Sequence, residues 1–169
     1  DAKVDAKVLS LTIGGEEKIA EAGDPDGERT VKYMYLLQSG DNGEVTIGDN
    51  TIMFYDDGGA EKNASRNFNG QVTFVPNSAD KAIKFVFKTS SFGNYSDHLY
   101  IYNGAEAKTS ADVEVGMYDA APEMFISESA DGKLTVKFTT ASSTTSITNF
   151  AIEVSAYQKQ SLAVTSITT

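Results

Sequence analysis

Cysteine is absent from the 169 residues, which excludes a disulfide framework, a thiolate metal site and a cysteine nucleophile at once. Tryptophan is absent too, and His98 is the only histidine. Basic residues are scarce: 14 Lys and Arg stand against 24 Asp and Glu, a formal net charge of −10. Binding to nucleic acid and to anionic membranes depends on cations that meet phosphates, so the charge argues against both partners. No apolar run nears the roughly 18 residues that cross a bilayer, and no membrane insertion is expected. The first eight residues, DAKVDAKV, lack the basic and then apolar pattern of a signal segment. Helical periodicity is nearly missing as well. The one helix-like stretch, Glu16 to Ala22 (EEKIAEA), predicts a turn or two before Gly23-Asp24-Pro25.

What the sequence does contain is period-two alternation. Ile83, Phe85 and Phe87 share one face of Lys81 to Lys88, and Leu134, Val136 and Phe138 share one face of Lys133 to Thr139. In Asp97 to Asn103, Leu99 and Ile101 face one way and Tyr100 and Tyr102 the other; Phe150, Ile152 and Val154 repeat the pattern. Shorter runs lie at Thr51 to Tyr55, Gln71 to Val75, Val113 to Tyr118 and Met124 to Ser127. Turn residues separate them at Asp41-Asn42-Gly43, Asp57-Gly58-Gly59, Asn69-Gly70, Asn103-Gly104 and Asp131-Gly132, the last reading as a tight hairpin. The pattern predicts an all-β protein, an antiparallel two-sheet β-sandwich with an N-terminal strand-rich extension.

The length suits one domain with a short appendage. Residues 39–157 are expected to form the sandwich. Residues 1–38, with strand-like runs at Lys7 to Ile13 and Thr30 to Gln38, read as its extension or as the end of a preceding module. Residues 158–169, with a further run at Gln160 to Ile167, read as a C-terminal linker or the start of a following module. A chain without an initiating Met reads as a piece of a longer polypeptide, whose neighbouring domains are expected partners.

Across Ile52 to Phe150 the sequence resembles a CUB domain. The motifs come in the family's order: Tyr55-Asp56-Asp57-Gly58-Gly59, then Asn63 and Phe68, Thr73-Phe74-Val75-Pro76, and Ile83-Lys84-Phe85. Asp97-x-Leu99-x-Ile101-Tyr102-x-Gly104 follows, then Ile126-Ser127, Leu134-x-Val136-x-Phe138, and Asn149-Phe150 where the family has Gly-Phe. The resemblance implies a jelly-roll sandwich of extracellular type that binds partners through loops at one end. It also implies a place for calcium, of which only Asp97 remains: Thr89 and Ala141 stand where the family carries a Glu and an Asp. Calcium takes six to eight oxygens with several carboxylates among them, so no metal and no cofactor is expected.

Other chemistry is weakly signalled. Asp24-Pro25-Asp26-Gly27-Glu28 resembles a calcium loop but lacks the further ligands and flanking helices of an EF-hand, and Asp56 and Asp57 read as solvated turn acids. His98 has no Gly-x-Ser-x-Gly partner, and strand alternation points it away from Asp97, which predicts a surface or cross-strand contact rather than catalysis. Glu106, Asp112, Glu114, Asp119 and Glu123 lie in polar segments without the apolar neighbours that raise a carboxyl pKa. Asn63-Ala64-Ser65 and Asn94-Tyr95-Ser96 match the glycosylation pattern, which acts only in a glycosylating host. No enzymatic activity is expected.

Nine Phe and eight Tyr leave aromatics over for loops. Phe92-Gly93-Asn94-Tyr95-Ser96 precedes the Asp97 strand, and the resemblance sets it at the same end as the Ser/Thr-rich loop around Ser142, Ser143 and Thr145. Tyrosine gives contact area at low entropy cost, while Ser, Thr and Asn give adaptable hydrogen bonds. Phe92, Asn94, Tyr95, Asp97, Ser142, Ser143 and Thr145 are therefore the candidate ligand-binding residues, with Phe92 or Tyr95 alternatively capping the core. The expected protein is a secreted or cell-surface, non-catalytic binding or adhesion module for a protein or glycan. The alternative is a carbohydrate-binding or spacer domain of a secreted hydrolase or peptidase.

Overall fold

The computed structural model describes residues 10–13, 16–20, 31–142 and 147–159. Among them are twelve strands and no helix. They are β1 (Ser10–Ile13), β2 (Glu16–Ala20), β3 (Val31–Leu36), β4 (Asn42–Ile47), β5 (Ile52–Tyr55), β6 (Asn69–Pro76), β7 (Lys81–Ser91), β8 (His98–Asn103), β9 (Val113–Gly116), β10 (Met124–Ile126), β11 (Leu134–Thr139) and β12 (Asn149–Gln158). One sheet runs β3-β5-β12-β7-β10, with β2 and then β1 extending it beyond β3; the other runs β4-β6-β11-β8-β9. The all-β two-sheet sandwich is the expected one, but its pairing is not wholly antiparallel as expected.

From β3 to β8 each strand lies in the sheet opposite to its predecessor. Two reversals bring the chain back to the same sheet in the same direction, so β3 pairs β5 in parallel and β4 pairs β6 in parallel. The other pairings are antiparallel. Both sheets are therefore mixed.

The alternating residues fill the space between them. Phe54, Phe74, Phe85, Phe138, Phe150, Leu99, Ile101 and Leu134 are inaccessible or nearly so. Their rings form a continuous lattice: Phe74 stands edge-on to Phe54 at 4.9 Å and to Phe85 at 5.5 Å, Phe54 meets Phe150 at 5.0 Å, and Phe150 meets Phe138 at 5.1 Å. Offset and edge-on contacts of this kind add about 0.5–1.5 kcal/mol each beyond area burial. The core is closed without a covalent staple.

The lattice also reaches residues before position 39. Tyr35 of β3 lies 5.8 Å from Phe54 and 6.1 Å from Phe74, and Leu37 is fully buried.

Several local expectations are corrected. Glu16–Ala20 is the strand β2, hydrogen-bonded between β1 and β3, rather than a helical turn; so short a segment cannot repay helix nucleation, and sheet pairing decides it. Asn42 and Gly43 open β4, whose Val45 and Ile47 enter the core, and Asn69 and Gly70 open β6. Asp131-Gly132 is a turn but not a hairpin, because β10 pairs β7 in one sheet and β11 pairs β6 and β8 in the other. Gly132 has φ +71°, its N–H donates to Ser129 O at 3.0 Å, and a Cβ there would stand 2.4 Å from Lys81 O. The glycine lets the crossing segment lie directly on β7. The Asp24 to Glu28 loop and the Gln160 to Ile167 run lie outside the described residues.

Candidate functional site

Four loops gather at one end of the sandwich, and two buried carboxylates hold them. Asp56 directly follows β5, where the alternation that buries Phe54 carries on by one step and turns its side chain inward. Its Oδ2 accepts the Phe150 N–H at 3.0 Å and its Oδ1 accepts the Gly58 N–H at 2.8 Å, and it is 0% exposed. Burial raises its pKa to about 6 against the opposing pull of these two N–H donors, and neighbouring Asp57 raises it further. The expectation of a solvated turn acid fails here. Asp57 instead accepts the Ser65 N–H through Oδ1 at 3.0 Å.

Asp97 is the second anchor. Its Oδ1 accepts the Ala141 N–H at 2.8 Å, and Thr148 Oγ1 donates to its Oδ2. Thr148 in turn accepts the Gly93 N–H at 3.1 Å, and its carbonyl accepts the Ala64 N–H at 2.8 Å. Thr140 completes the clamp by accepting the Phe68 N–H at 2.9 Å and donating to Ser65 O at 2.7 Å. The loop 56–68, the loop 92–97 and the residues 140–142 and 147–148 are thus tied together through side chains of residues far apart in sequence. The ninth strand's exit joins them: residues 115–121 line a groove of about 360 Å³ with Ser90 and Phe92.

The residues singled out from sequence separate into distinct roles within this frame. Phe92 is buried with its ring 6.3 Å from Phe138, so it caps the core. Asp97 is buried and committed to holding loops. Asn94 shapes the turn, its Oδ1 accepting the Ser96 N–H at 2.9 Å and its carbonyl the Asp97 N–H at 3.0 Å. Tyr95 projects outward at 71% exposure, and Ser142 is exposed. Ser143 and Thr145 lie outside the described residues.

Three further exposed apolar side chains occur at this end that the sequence pattern does not single out: Tyr118 at 82%, Ile147 at 61% and Met117 at 48%. The alternation predicts strand through Met117 and Tyr118, but β9 stops at Gly116, where the Gly116 N–H donates to Asp119 O at 3.0 Å and turns the chain. The available signal was two apolar residues in succession, which an alternating strand cannot bury together. Ile147 lies beside Thr148, and its carbonyl accepts Ser91 Oγ at 3.2 Å.

His98 sits on the outer face of the β4-β6-β11-β8-β9 sheet, stacked on Tyr100 at 5.4 Å with its Nδ1 2.9 Å from Glu114 Oε1. This is a cross-strand contact. No family model matches the chain, and no curated protein is significantly similar to it.

Proposed function

We propose that the chain is a non-catalytic binding module of a secreted or cell-surface protein and that it engages a protein partner through the loop end. The observation that carries this reading is the concentration there of Tyr95, Met117, Tyr118 and Ile147, four of the six exposed large apolar side chains among the described residues. Clustered exposed apolar groups of this kind mark interaction surfaces. The loops beneath them are fixed by Asp56, Asp97 and Thr148, so the surface presents its anchors with little ordering cost on association. Two exposed tyrosines supply area that would be worth about 2 kcal/mol or more each on full burial.

The CUB resemblance of Ile52 to Phe150 supports the extracellular setting and the choice of this end. The non-catalytic character is supported by the occupations of the buried carboxylates: Asp56 and Asp97 accept hydrogen bonds from loop donors. Amide exchange on the ¹⁵N-labelled chain, titrated with a panel of extracellular matrix and secreted proteins, tests the proposal. A binder should protect residues 92–96, 117–121 and 147–148, whereas protection confined to the outer faces of the sheets would refute it.

A further inference from the structure

A different surface carries an independent inference. On the outer face of the β4-β6-β11-β8-β9 sheet, pairing registers align Glu114, Tyr100, Lys137, Gln71 and Asn42 in one row across all five strands. At the usual strand spacing the row spans about 19 Å. The segment between β8 and β9 folds back beside it. Thr135 Oγ1 donates to Gly104 O at 2.8 Å and Thr73 Oγ1 to Ala105 O at 3.4 Å, while the Asn103 N–H donates to Asp112 Oδ2 at 2.7 Å. This wall covers Tyr102 and Thr135 and leaves Tyr100 and Lys137 on the floor of a groove of about 570 Å³. A second groove of about 320 Å³, lined by Asp41, Asn42 and Gln71, continues from the other side of Lys137.

We propose that this trough is a second binding site, which takes a neutral oligosaccharide laid across the strands. Its lining is hydroxyls, amides and the Tyr100 ring, the groups that hydrogen-bond and stack against a polyol. Its charges nearly balance, with Lys108 and Lys137 against Glu114, Asp41 and the wall's Asp112, which lies 3.9 Å from Lys108, on a chain whose net charge is −10. A strongly acidic or basic ligand therefore finds no complementary field. The exposed large apolar side chains of the described residues all lie outside the trough, so it lacks the anchors that a protein partner would bury. The Tyr100 ring is held in place by its stack on His98 at 5.4 Å and 18°.

The test is a ¹⁵N chemical-shift titration with neutral hexasaccharides of glucose, xylose, mannose, galactose and N-acetylglucosamine at millimolar concentration, beside polygalacturonate as an acidic comparison. At least one neutral sugar should shift Tyr100, Glu114, Lys137 and residues 108–111. Tyr100→Ala should weaken that binding by about tenfold or more, Lys137→Ala and Tyr100→Phe by less, and Tyr95→Ala not at all. Lys137→Ala and Tyr100→Phe carry the result if Tyr100→Ala folds poorly. No shift with any neutral sugar, binding of polygalacturonate alone, shifts elsewhere, or affinity unchanged in both Lys137→Ala and Tyr100→Phe would overturn the proposal. Because Tyr95 lies at the other site, failure here leaves the loop-end reading intact.

Discussion

Asp56 and Phe150 stand 94 residues apart, yet the backbone N–H of Phe150 donates to the Asp56 carboxylate at 3.0 Å inside the core, where β5 and β12 lie side by side. The bond fixes the entry of β12 and, through the Gly58 N–H on the other oxygen, the turn that leaves β5. It joins the fold to the loop end.

The pH dependence of stability should show this carboxylate. Its pKa is about 6 in the folded chain against 3.8 ordinarily, so between these values the folded state binds more protons than the unfolded state. Its contribution therefore worsens as pH rises from about 4 to above 6, by on the order of 2–3 kcal/mol, and recovers as pH falls through the same window. Chemical denaturation of the parent and of Asp56→Asn across pH 4 to 7.5 should give curves whose difference has this sign. Asp56→Ala should be destabilised throughout, since it leaves the buried Phe150 N–H unmet at about 1–3 kcal/mol and frees the part-buried Gly58 N–H as well.

Asp97→Ala should loosen loops that touch it from both sides. The Ala141 N–H and the Thr148 hydroxyl lose their acceptor, which predicts a loss of about 2–4 kcal/mol in urea denaturation. Amide exchange should rise in residues 92–96 and 140–142 more than in β7. Because both oxygens are engaged, millimolar calcium should leave the parent melting temperature unmoved; a calcium-dependent rise abolished by Asp97→Ala would show that these bonds yield to a metal.

Two glycines with positive φ separate backbone strain from collision. Gly40 has φ +91° with open space around it, whereas Gly132 has φ +71°, and a Cβ added to it would meet Lys81 O at 2.4 Å. Gly40→Ala should cost about 1–2 kcal/mol. Gly132→Ala should cost clearly more, because β7 or the turn must also shift, and parallel thermal melts would measure the difference.

Much of this architecture is legible in the sequence because alternation is a local signal. Ile83, Phe85, Leu134, Val136 and Phe138 each occupy the core face that their spacing assigns. Pairing partners are not local: nothing in Ser127 to Thr139 distinguishes a hairpin from a crossing between sheets, and β4 hides behind turn residues that tertiary packing recruits into a strand. Asp56 was legible in principle, since it continues the Ile52, Phe54 alternation, but its Gly-rich context reads more strongly as turn. At the candidate site, Tyr95 could be chosen from its loop; Phe92 could not be separated from it, because whether an aromatic beside a turn faces in or out depends on Phe138, far away in the chain.

The most direct test of the loop-end account is the equilibrium dissociation constant of a confirmed protein partner for the parent, Tyr95→Ala and Tyr118→Ala, measured by titration calorimetry with melting temperatures recorded alongside. Both side chains are exposed at 71% and 82%, so neither change should disturb the fold. The account predicts that at least one of them weakens binding by about tenfold or more at unchanged melting temperature. Dissociation constants equal to the parent's in both variants, and in the Tyr95→Ala/Tyr118→Ala double variant, would contradict it.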